Sequence, residues 1–293
     1  MYPEYRLAPT PGCETAFSQF VPRLENFYRA PGDFQIEPFR IFGNLWYVGD
    51  RKVCMHLVDT GDGLILFDTG YRNAFPYLLY SIRKAGFDPA DVKLIIHSHG
   101  HFDHFGGTID FKNMYSPTVC MSKVDTGLLR EMPERALVEL GPMRYDEICW
   151  PDVELEDGQV LTLGNTSITC KLAPGHTWGT MAFFFNVTDG RTTKRVGYWG
   201  GVGFLTMYTD YCRKMKLLEN KASAMLESIA KLRNEHVDIT IGNHPNQNCT
   251  IEKREWMSEY PGENPFLNSQ TWPMFLNALE EKCKKYITDG YGK

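Results

Sequence analysis

The feature that most constrains this chain is a short apolar run that ends in a cluster of histidines. Val92–Ile96 is followed directly by His97-Ser98-His99-Gly100-His101-Phe102-Asp103-His104. An apolar run of this length that stops at a polar, glycine-containing segment predicts a buried β-strand running into a loop. His99 and His101 lie two residues apart, so extended backbone sends both side chains to one side, and Asp103 continues the alternation. Since imidazole and carboxylate are preferred ligands of zinc and similar divalent metals, this loop can present two ligands to one metal ion and two to another.

Other predicted strands also run into side chains that can bind a metal. Leu64–Phe67 ends in Asp68-Thr69-Gly70. Ser167–Leu172 precedes the glycine-rich loop that contains Gly175-His176-Thr177, and Val237–Ile241 precedes His244-Pro245. A carboxylate or imidazole at several strand ends favours a shared site over isolated structural histidines.

The order of predicted elements mixes an antiparallel meander with a crossover, which is typical of a layered α/β fold. Helical spacing of apolar residues predicts helices over 75–82, 218–232 and 272–286, and residues 123–147 are expected to be helical or irregular. The proline-rich residues 1–36 are predicted to form an arm, with a possible short helix over 13–28, packed on a single domain at 37–293. The predicted strands are Phe39–Val48, Val53–Val58, Leu64–Phe67, Val92–Ile96, Thr118–Met121, Gln159–Leu163, Ser167–Leu172, Met181–Val187, Arg195–Trp199 and Val237–Ile241.

Composition narrows the classes of function. The chain has 293 residues and a formal net charge of -5, so nothing directs it to nucleic acid or to an anionic membrane, and we expect a small-molecule substrate. No apolar run approaches the roughly 18 residues of a membrane-spanning helix. The N-terminus lacks the basic and apolar regions of a secretory signal, so we expect a cytoplasmic protein if Met1 is the native start. The eight scattered cysteines, without a Cys-x-x-Cys pair, are expected to be reduced thiols. The oligomeric state is left open.

These motifs, in this order, resemble the metallo-β-lactamase superfamily over roughly residues 37–287. The resemblance implies an αββα sandwich of two mixed β-sheets with outer helices, with the site at one edge of the sheets. It implies two Zn²⁺ ions per chain, with Asp68 as a supporting carboxylate near them. Six donors are enough for two ions that each keep room for water. The implied ligands are His99, His101 and His176 for the first zinc, and Asp103, His104 and His244 for the second.

One position departs from the pattern of many hydrolases in this superfamily. Those enzymes place a bridging Asp after a later strand, where this chain has Gly201. The first two subclasses of class B metallo-β-lactamases place a Cys there, which is also absent. The six-ligand set without either residue is most similar to the third subclass.

The resemblance implies a dinuclear zinc hydrolase that acts on a small-molecule amide, lactam, lactone or ester through a metal-bound hydroxide. Asp103 is the expected catalytic residue, because it would orient that hydroxide while binding the second zinc. The alternatives are a thioesterase-like or glyoxalase II-like hydrolase, or an iron-dependent oxidoreductase on the same fold. The flavin-linked diiron type would require a carboxylate where His101 stands, and a persulfide dioxygenase would require the Asp missing at position 201.

The remaining histidines are expected to have structural roles. We interpret His97 as a structural residue or as a support for the ligands, and His56 and His236 as ordinary structural residues. Trp178 either forms a wall of the substrate pocket or packs in the core. Loops 71–77, 123–150 and 204–217 are expected to set the specificity.

Overall fold

The computed structural model describes residues 26–137, 147–204 and 221–289. Most of the predicted arm and of its helix over 13–28, the loop segments 138–146 and 205–217, and the start of the helix predicted from residue 218 lie outside these ranges. Residues 26–29 are helical. The Phe27 ring is buried 5.0 Å from the Tyr71 ring, so this part of the arm packs on the domain.

The first sheet of the described residues has seven strands in sequence order. Neighbours are antiparallel from β1 to β4 and parallel from β4 to β7. The strands are β1 (Phe39–Phe42), β2 (Leu45–Tyr47), β3 (His56–Asp59), β4 (Leu64–Phe67), β5 (Val92–Ile96), β6 (Thr118–Ser122) and β7 (Val153–Leu155).

The single strand predicted over Phe39–Val48 is wrong, because this segment is the β1–β2 hairpin. Gly43 forms the turn with a φ of 53°. A Cβ at Gly43 would lie 2.1 Å from the carbonyl oxygen of Thr188, so the tight turn against the second sheet requires glycine. The sequence pattern missed β7, a strand of only three residues.

Within the described ranges, the second sheet has five strands in the order β12-β11-β10-β9-β8. Its strands are antiparallel except for the parallel pair β11 and β12. The prediction of these strands is confirmed, with ends that differ by one or two residues. They are β8 (Val160–Leu163), β9 (Thr166–Leu172), β10 (Met181–Thr188), β11 (Thr193–Trp199) and β12 (Ile239–Gly242).

The two sheets pack face to face on an aromatic core, and helices cover their outer faces. Phe67 of the first sheet lies 5.4 Å from Phe183 and 5.3 Å from Phe185 of the second, measured between ring centroids. Helices α1 and α3 pack on the first sheet, and α5 and α7 pack on the second. The predicted αββα sandwich is therefore confirmed. The helices are α1 (Phe75–Lys84), α2 (Phe102–Phe105), α3 (Thr108–Tyr115), α4 (Lys123–Glu131), α5 (Lys221–Leu232), α6 (Thr250–Glu259) and α7 (Thr271–Thr288), with 3-10 turns at Pro31–Phe34, Arg72–Ala74, Pro89–Asp91, Pro133–Ala136 and Pro245–Gln247.

Helix α6 was missed because its sequence lacks an apolar stripe. Its buried positions are Thr250 and Lys253, and the residue before it, Cys249, has a left-handed backbone in place of an ordinary N-cap. In the described part of the chain, no helix is long and apolar enough to cross a bilayer.

Lys253 generates a prediction about stability and pH. It is 1% exposed, and its Nζ finds no hydrogen-bond partner among the residues that the structure describes. That atom lies 5.1 Å from the centroid of the Phe266 ring. Burial lowers its pKa from 10.5 to about 8, against smaller opposite effects of Cys249 and Glu252. The charged amine therefore destabilises the fold at neutral pH. We expect Lys253→Met to raise the free energy of unfolding at pH 7 by roughly 1–3 kcal/mol, since each pKa unit corresponds to about 1.4 kcal/mol.

The sign of the pH dependence follows from linkage. Between pH 8 and 10.5 the unfolded chain binds more protons at Lys253 than the folded one. The free energy of unfolding of the wild type therefore rises with pH in this range. The advantage of Lys253→Met should therefore shrink above pH 8. Urea unfolding of both proteins from pH 7 to 10 measures this difference. Lys284→Met, whose side chain is 63% exposed, is the control and should change little. A constant advantage across this range would contradict the prediction.

Candidate metal centre

The predicted ligand side chains meet where strands of both sheets end. His99 and His101 follow β5, Asp103 and His104 lie in α2, His176 lies between β9 and β10, and His244 follows β12. Backbone hydrogen bonds join the sheets at this edge. The Ser98 carbonyl accepts from the Met181 amide at 3.0 Å, and the Asn243 carbonyl accepts from the Cys54 amide at 2.9 Å.

The first cluster consists of His99, His101 and His176. One ring nitrogen from each lies within 4.8 Å of the others. His99 Nε2 lies 2.9 Å from His101 Nδ1, and the three ring centroids are separated by 4.5–4.6 Å. All three side chains are buried or nearly so. This is the donor set and spacing of a three-histidine site for a divalent ion.

The second cluster is centred on the Asp103 carboxylate. Asp103 Oδ2 lies 3.4 Å from His104 Nε2 and 3.5 Å from His244 Nε2. Two ligands bound tetrahedrally at about 2.1 Å are separated by roughly 3.4 Å, so this spacing fits a shared zinc ion. His99, Asp103 and His104 also offer ligand atoms within 4.8 Å of one another, so the two clusters are adjacent.

Four of the rings are oriented by acceptors on their far side. A carbonyl oxygen can only accept, so each Nδ1 that faces one carries a proton and leaves Nε2 with a free lone pair. A ring nitrogen that faces a carboxylate likewise carries a proton, and a metal ion would then displace any proton on Nε2. This arrangement is typical of metal-binding histidines. The Nδ1 contacts are His99 to Gly200 O at 2.6 Å, His176 to Gly203 O at 2.7 Å, His244 to Lys52 O at 2.7 Å and His104 to Asp68 Oδ2 at 2.9 Å.

The protonation states suit cation binding. Burial holds the pKa values of His99 and His101 well below 6.5 and lowers the pKa of His176 to about 3, so these rings are neutral at pH 7. Burial acts against a charge on His104 as well, but Asp103 and Asp68 outweigh it and raise its pKa to about 10. The position between His104 and Asp103 therefore favours a positive charge.

Asp68 links the segment after β5, which carries the candidate ligands His99 to His104, to the second sheet. It has a φ of 58°, a backbone conformation that is strained for a residue other than glycine. Its buried carboxylate accepts from the Ser98 amide at 2.8 Å, from His104 Nδ1 and, at 2.9 Å, from the Tyr198 hydroxyl. These contacts hold the strained backbone and orient His104.

The other histidines lie outside both clusters. His97 bonds Thr108 Oγ1 through Nε2 at 3.0 Å, and its Nδ1 lies 3.6 Å from Asp68 Oδ1, so it stands behind the ligands. His56 is buried between the Tyr47 and Tyr198 rings. The side chain of His236 is 72% exposed, 3.3 Å from Asp238. These positions agree with the structural roles expected for them.

Sequence reasoning missed several residues that support the clusters. Asn243 Nδ2 donates to Gly200 O at 2.7 Å, which fixes the carbonyl that orients His99. Tyr198 and Asp125 were also missed. Asn243 directly precedes His244 and could have been noticed, whereas Tyr198 and Asp125 carry no local signal because their partners are distant in sequence.

Position 201 has no room for a side chain in this backbone. A Cβ at Gly201 would lie 2.7 Å from Cδ2 of His176, and one at Gly203 would lie 3.3 Å from that ring. The glycine segment 200–203 therefore lies against the His176 ring while its carbonyls orient His99 and His176. A bridging carboxylate at position 201 would require His176 to move.

A cavity of about 400 Å³, which includes space open to solvent, adjoins the first cluster at His101. Trp178 lines it, so this side chain forms a pocket wall. The cavity combines apolar side chains with two cations; besides Trp178 its lining includes Leu128, Leu129, Leu137, Arg135 and Lys221.

Comparison with known proteins agrees with this geometry. Residues 48–182 match the sequence profile of the metallo-β-lactamase superfamily. The fold matches BJP-1, a subclass B3 metallo-β-lactamase of Bradyrhizobium japonicum, with a TM-score of 0.76 and 25% identity over 87% of this chain and 95% of that one. The chain is therefore similar to the metallo-β-lactamase superfamily, in sequence over residues 48–182 and in its fold over most of its length.

Further proteins are similar over between 53% and 87% of this chain. The metallo-β-lactamase GOB-18 from Elizabethkingia meningoseptica has a TM-score of 0.75 and 28% identity, over 87% of this chain and 94% of that one. Among curated relatives, the probable polyketide biosynthesis zinc-dependent hydrolase PksB of Bacillus subtilis is 26% identical over 53% of this chain, and the match spans only 57% of its length. The hydroxyacylglutathione hydrolase GloC of Haemophilus influenzae is 26% identical over 62% of this chain and 78% of its length.

The contact at Gly201 generates a prediction. Gly201→Ala should push the His176 ring out of place and weaken zinc binding to the first cluster by about 10- to 100-fold, the usual effect of disturbing a ligand's support. Zinc titration against a chromophoric chelator measures this affinity. Gly127→Ala, in α4 with no described atom within 4 Å of the added Cβ, is the matched control and should bind zinc normally. Unchanged affinity in Gly201→Ala would show that His176 tolerates the methyl group.

Proposed function

We propose that this chain is a dinuclear zinc hydrolase that acts on an amide, lactam, lactone or ester bond of a small molecule. The observation that carries the proposal is the convergence of five histidines and one carboxylate, with four of the rings held through Nδ1 so that Nε2 is the atom available to a metal ion. In this proposal His99, His101 and His176 hold one ion, and Asp103, His104 and His244 hold the other.

Zinc, when bound, supplies a Lewis acid that polarises a carbonyl group and acidifies water, which is the chemistry of hydrolysis. Asp103 has the catalytic role among the protein's groups. Burial would raise its pKa, but His104 and the neighbouring imidazoles lower it, so it is ionised at neutral pH. Its side chain is 15% exposed at the site, where it can orient an attacking water and hold the proton that the water releases.

Tyr198 and Asp68 assist by holding His104. The Tyr198 hydroxyl and His104 Nδ1 donate to the same oxygen, Asp68 Oδ2, each at 2.9 Å. The ring of His104 therefore keeps its Nε2 directed at Asp103 throughout a reaction.

The cavity beside His101 supports a substrate that has an apolar part and an anionic group. Leu128, Leu129 and Trp178 give one part of it an apolar lining, and Lys221 and Arg135 bring positive charge. A carboxylate near the scissile carbonyl would place negative charge beside these cations. We therefore propose carboxylate-bearing amides, lactams or esters as the substrate class.

A thioester is the second candidate, and the similarity to a hydroxyacylglutathione hydrolase favours it. An iron-dependent oxidoreductase on this fold is the third candidate, because imidazole and carboxylate also bind iron. Metal analysis of protein purified without added metal distinguishes it from a zinc enzyme.

The first test of the proposal is metal content. Two zinc ions per chain are expected at saturation by mass spectrometry, and His176→Ala and His244→Ala should each lose one. His97→Ala should keep both, because His97 faces Thr108 and Asp68. Wild-type protein that binds one ion or none at saturation would contradict the dinuclear site.

The second test is the role of Asp103. Asp103→Asn should keep the fold but lose about 10²- to 10⁴-fold in kcat, because it loses the charge and the proton acceptor. Asp110→Asn is the control and should keep its turnover, because Asp110 lies on α3 and its carboxylate pairs with Arg72. Turnover by Asp103→Asn within a few-fold of wild type would refute this assignment.

The third test concerns the anionic group. For a lactam or amide that carries a carboxylate, kcat/KM should exceed that of its methyl ester. Lys221→Met should reduce this preference by about tenfold, the usual contribution of a hydrogen bond to a charged group. Lys231→Met, on the same helix but outside the cavity lining, where its Nζ lies 2.6 Å from Asp157, is the control. A preference for the ester in wild type would rule out this substrate class.

A further inference from the structure

Asp125 is a buried carboxylate outside the set of candidate metal ligands. It lies in the first turn of α4 and is 4% exposed. Its amide bonds Ser122 Oγ at 3.0 Å, which caps the helix and fixes the start of this turn. The Asp125 carboxylate is directed away from the helix toward two loops, and each of these loops carries candidate ligands.

The first contact is with the loop after β5. The Gly100 amide donates to Asp125 Oδ2 at 2.8 Å. Gly100 is the single residue between His99 and His101, so this hydrogen bond fixes the peptide that joins two candidate ligands. A Cβ at Gly100 would lie 2.9 Å from Leu129 Cδ1 and 3.2 Å from Asp125 Cβ, so the loop rests directly on α4.

The second contact is with the loop that carries His176. The Thr177 hydroxyl donates to Asp125 Oδ2 at 2.8 Å, and the Gly179 amide donates to Asp125 Oδ1 at 2.8 Å. A Cβ at Gly179 would lie 2.2 Å from Ser122 Oγ and 2.5 Å from Asp125 Cγ. This loop can approach the helix so closely only because glycine occupies position 179.

One carboxylate thus accepts three hydrogen bonds from two loops that are distant in sequence. A carboxylate suits this position because it only accepts, and all three partners are donors. The three histidines of the first cluster are direct sequence neighbours of a donor to Asp125, since His99 and His101 flank Gly100 and His176 precedes Thr177. In contrast, no described residue of the second cluster bonds Asp125.

We propose that Asp125 is a positioning residue that sets the distance of His176 from His99 and His101, and so controls the affinity of the first metal site alone. The inference rests on the proposed function, because it presupposes two separate metal sites. Asp125 acts through the backbone of both loops and touches neither the ligands nor the metal.

The test is Asp125→Asn in two backgrounds. In either orientation the amide nitrogen of Asn would face an N–H donor, Gly100 or Gly179, so one loop loses its anchor. In His244→Ala, which keeps the first site, Asp125→Asn should raise the zinc Kd about 10- to 100-fold. In His176→Ala, which keeps the second site, the Kd should change less than twofold. Asp152→Asn, which removes a carboxylate that accepts from the Val119 amide elsewhere, is the matched control in both backgrounds.

Thr177→Val is the second variant, since it removes one donor to Asp125 and leaves the carboxylate in place. It should raise the Kd of the first site about threefold, and it carries the test if Asp125→Asn does not fold. Equal weakening of both sites, or no weakening of the first, would overturn the inference. Wild-type protein that binds fewer than two zinc ions would instead refute the proposed function, so the two failures are distinguishable.

Discussion

The buried carboxylate of Asp68 is the interaction on which the rest of the site depends. It stands at the end of β4 in the first sheet and accepts from Tyr198 of β11 in the second, so it joins the two halves of the sandwich. The same carboxylate bonds the Ser98 amide and the His104 ring. A left-handed backbone at a non-glycine residue is costly, and here three hydrogen bonds from buried donors hold it. The strained residue therefore lies at the end of β4, where it contacts the segment that carries His99 and His104.

Backbone carbonyls, more than side chains, orient the candidate ligands. Gly200, Gly203 and Lys52 each present a carbonyl oxygen to the Nδ1 atom of a histidine. These carbonyls belong to segments that the two sheets fix, so the ring positions follow from the packing of the sandwich. The glycine segment 200–203 can lie so close to His176 because its residues lack side chains. The backbone around His176 therefore leaves no space for a carboxylate side chain at position 201.

The sequence predicted the layered fold and the six side chains that meet at its edge, because both depend on local patterns. Apolar runs mark strands, and imidazoles at their ends mark the edge where strands terminate. The β1–β2 hairpin and α6 were not predicted, since a glycine turn inside an apolar run and a helix without an apolar stripe give weak signals. The support of the site was also not predictable. His99 and Gly200 are 101 residues apart, and His244 and Lys52 are 192 residues apart, so no local pattern relates them. In the sequence, Asp125 has no feature that separates it from other polar helix residues. Its role depends on the fold, which brings two distant loops into contact with its carboxylate.

The two clusters attract a cation by different means. Asp103 gives the second cluster a negative charge, and Asp68 adds another beside His104, so electrostatic attraction favours a cation there. The first cluster consists of three imidazoles that burial keeps neutral, and Lys221 lies near enough to lower the pKa values of His101 and His176 further. Neutral imidazoles beside a lysine do not attract a metal ion by charge. The affinity of the first cluster for a metal ion therefore depends on how well the lone pairs of its three rings point to one position. That requirement explains why three hydrogen bonds to Asp125 anchor the loops of the first cluster, whereas Asp68 holds the second cluster through the ring of His104.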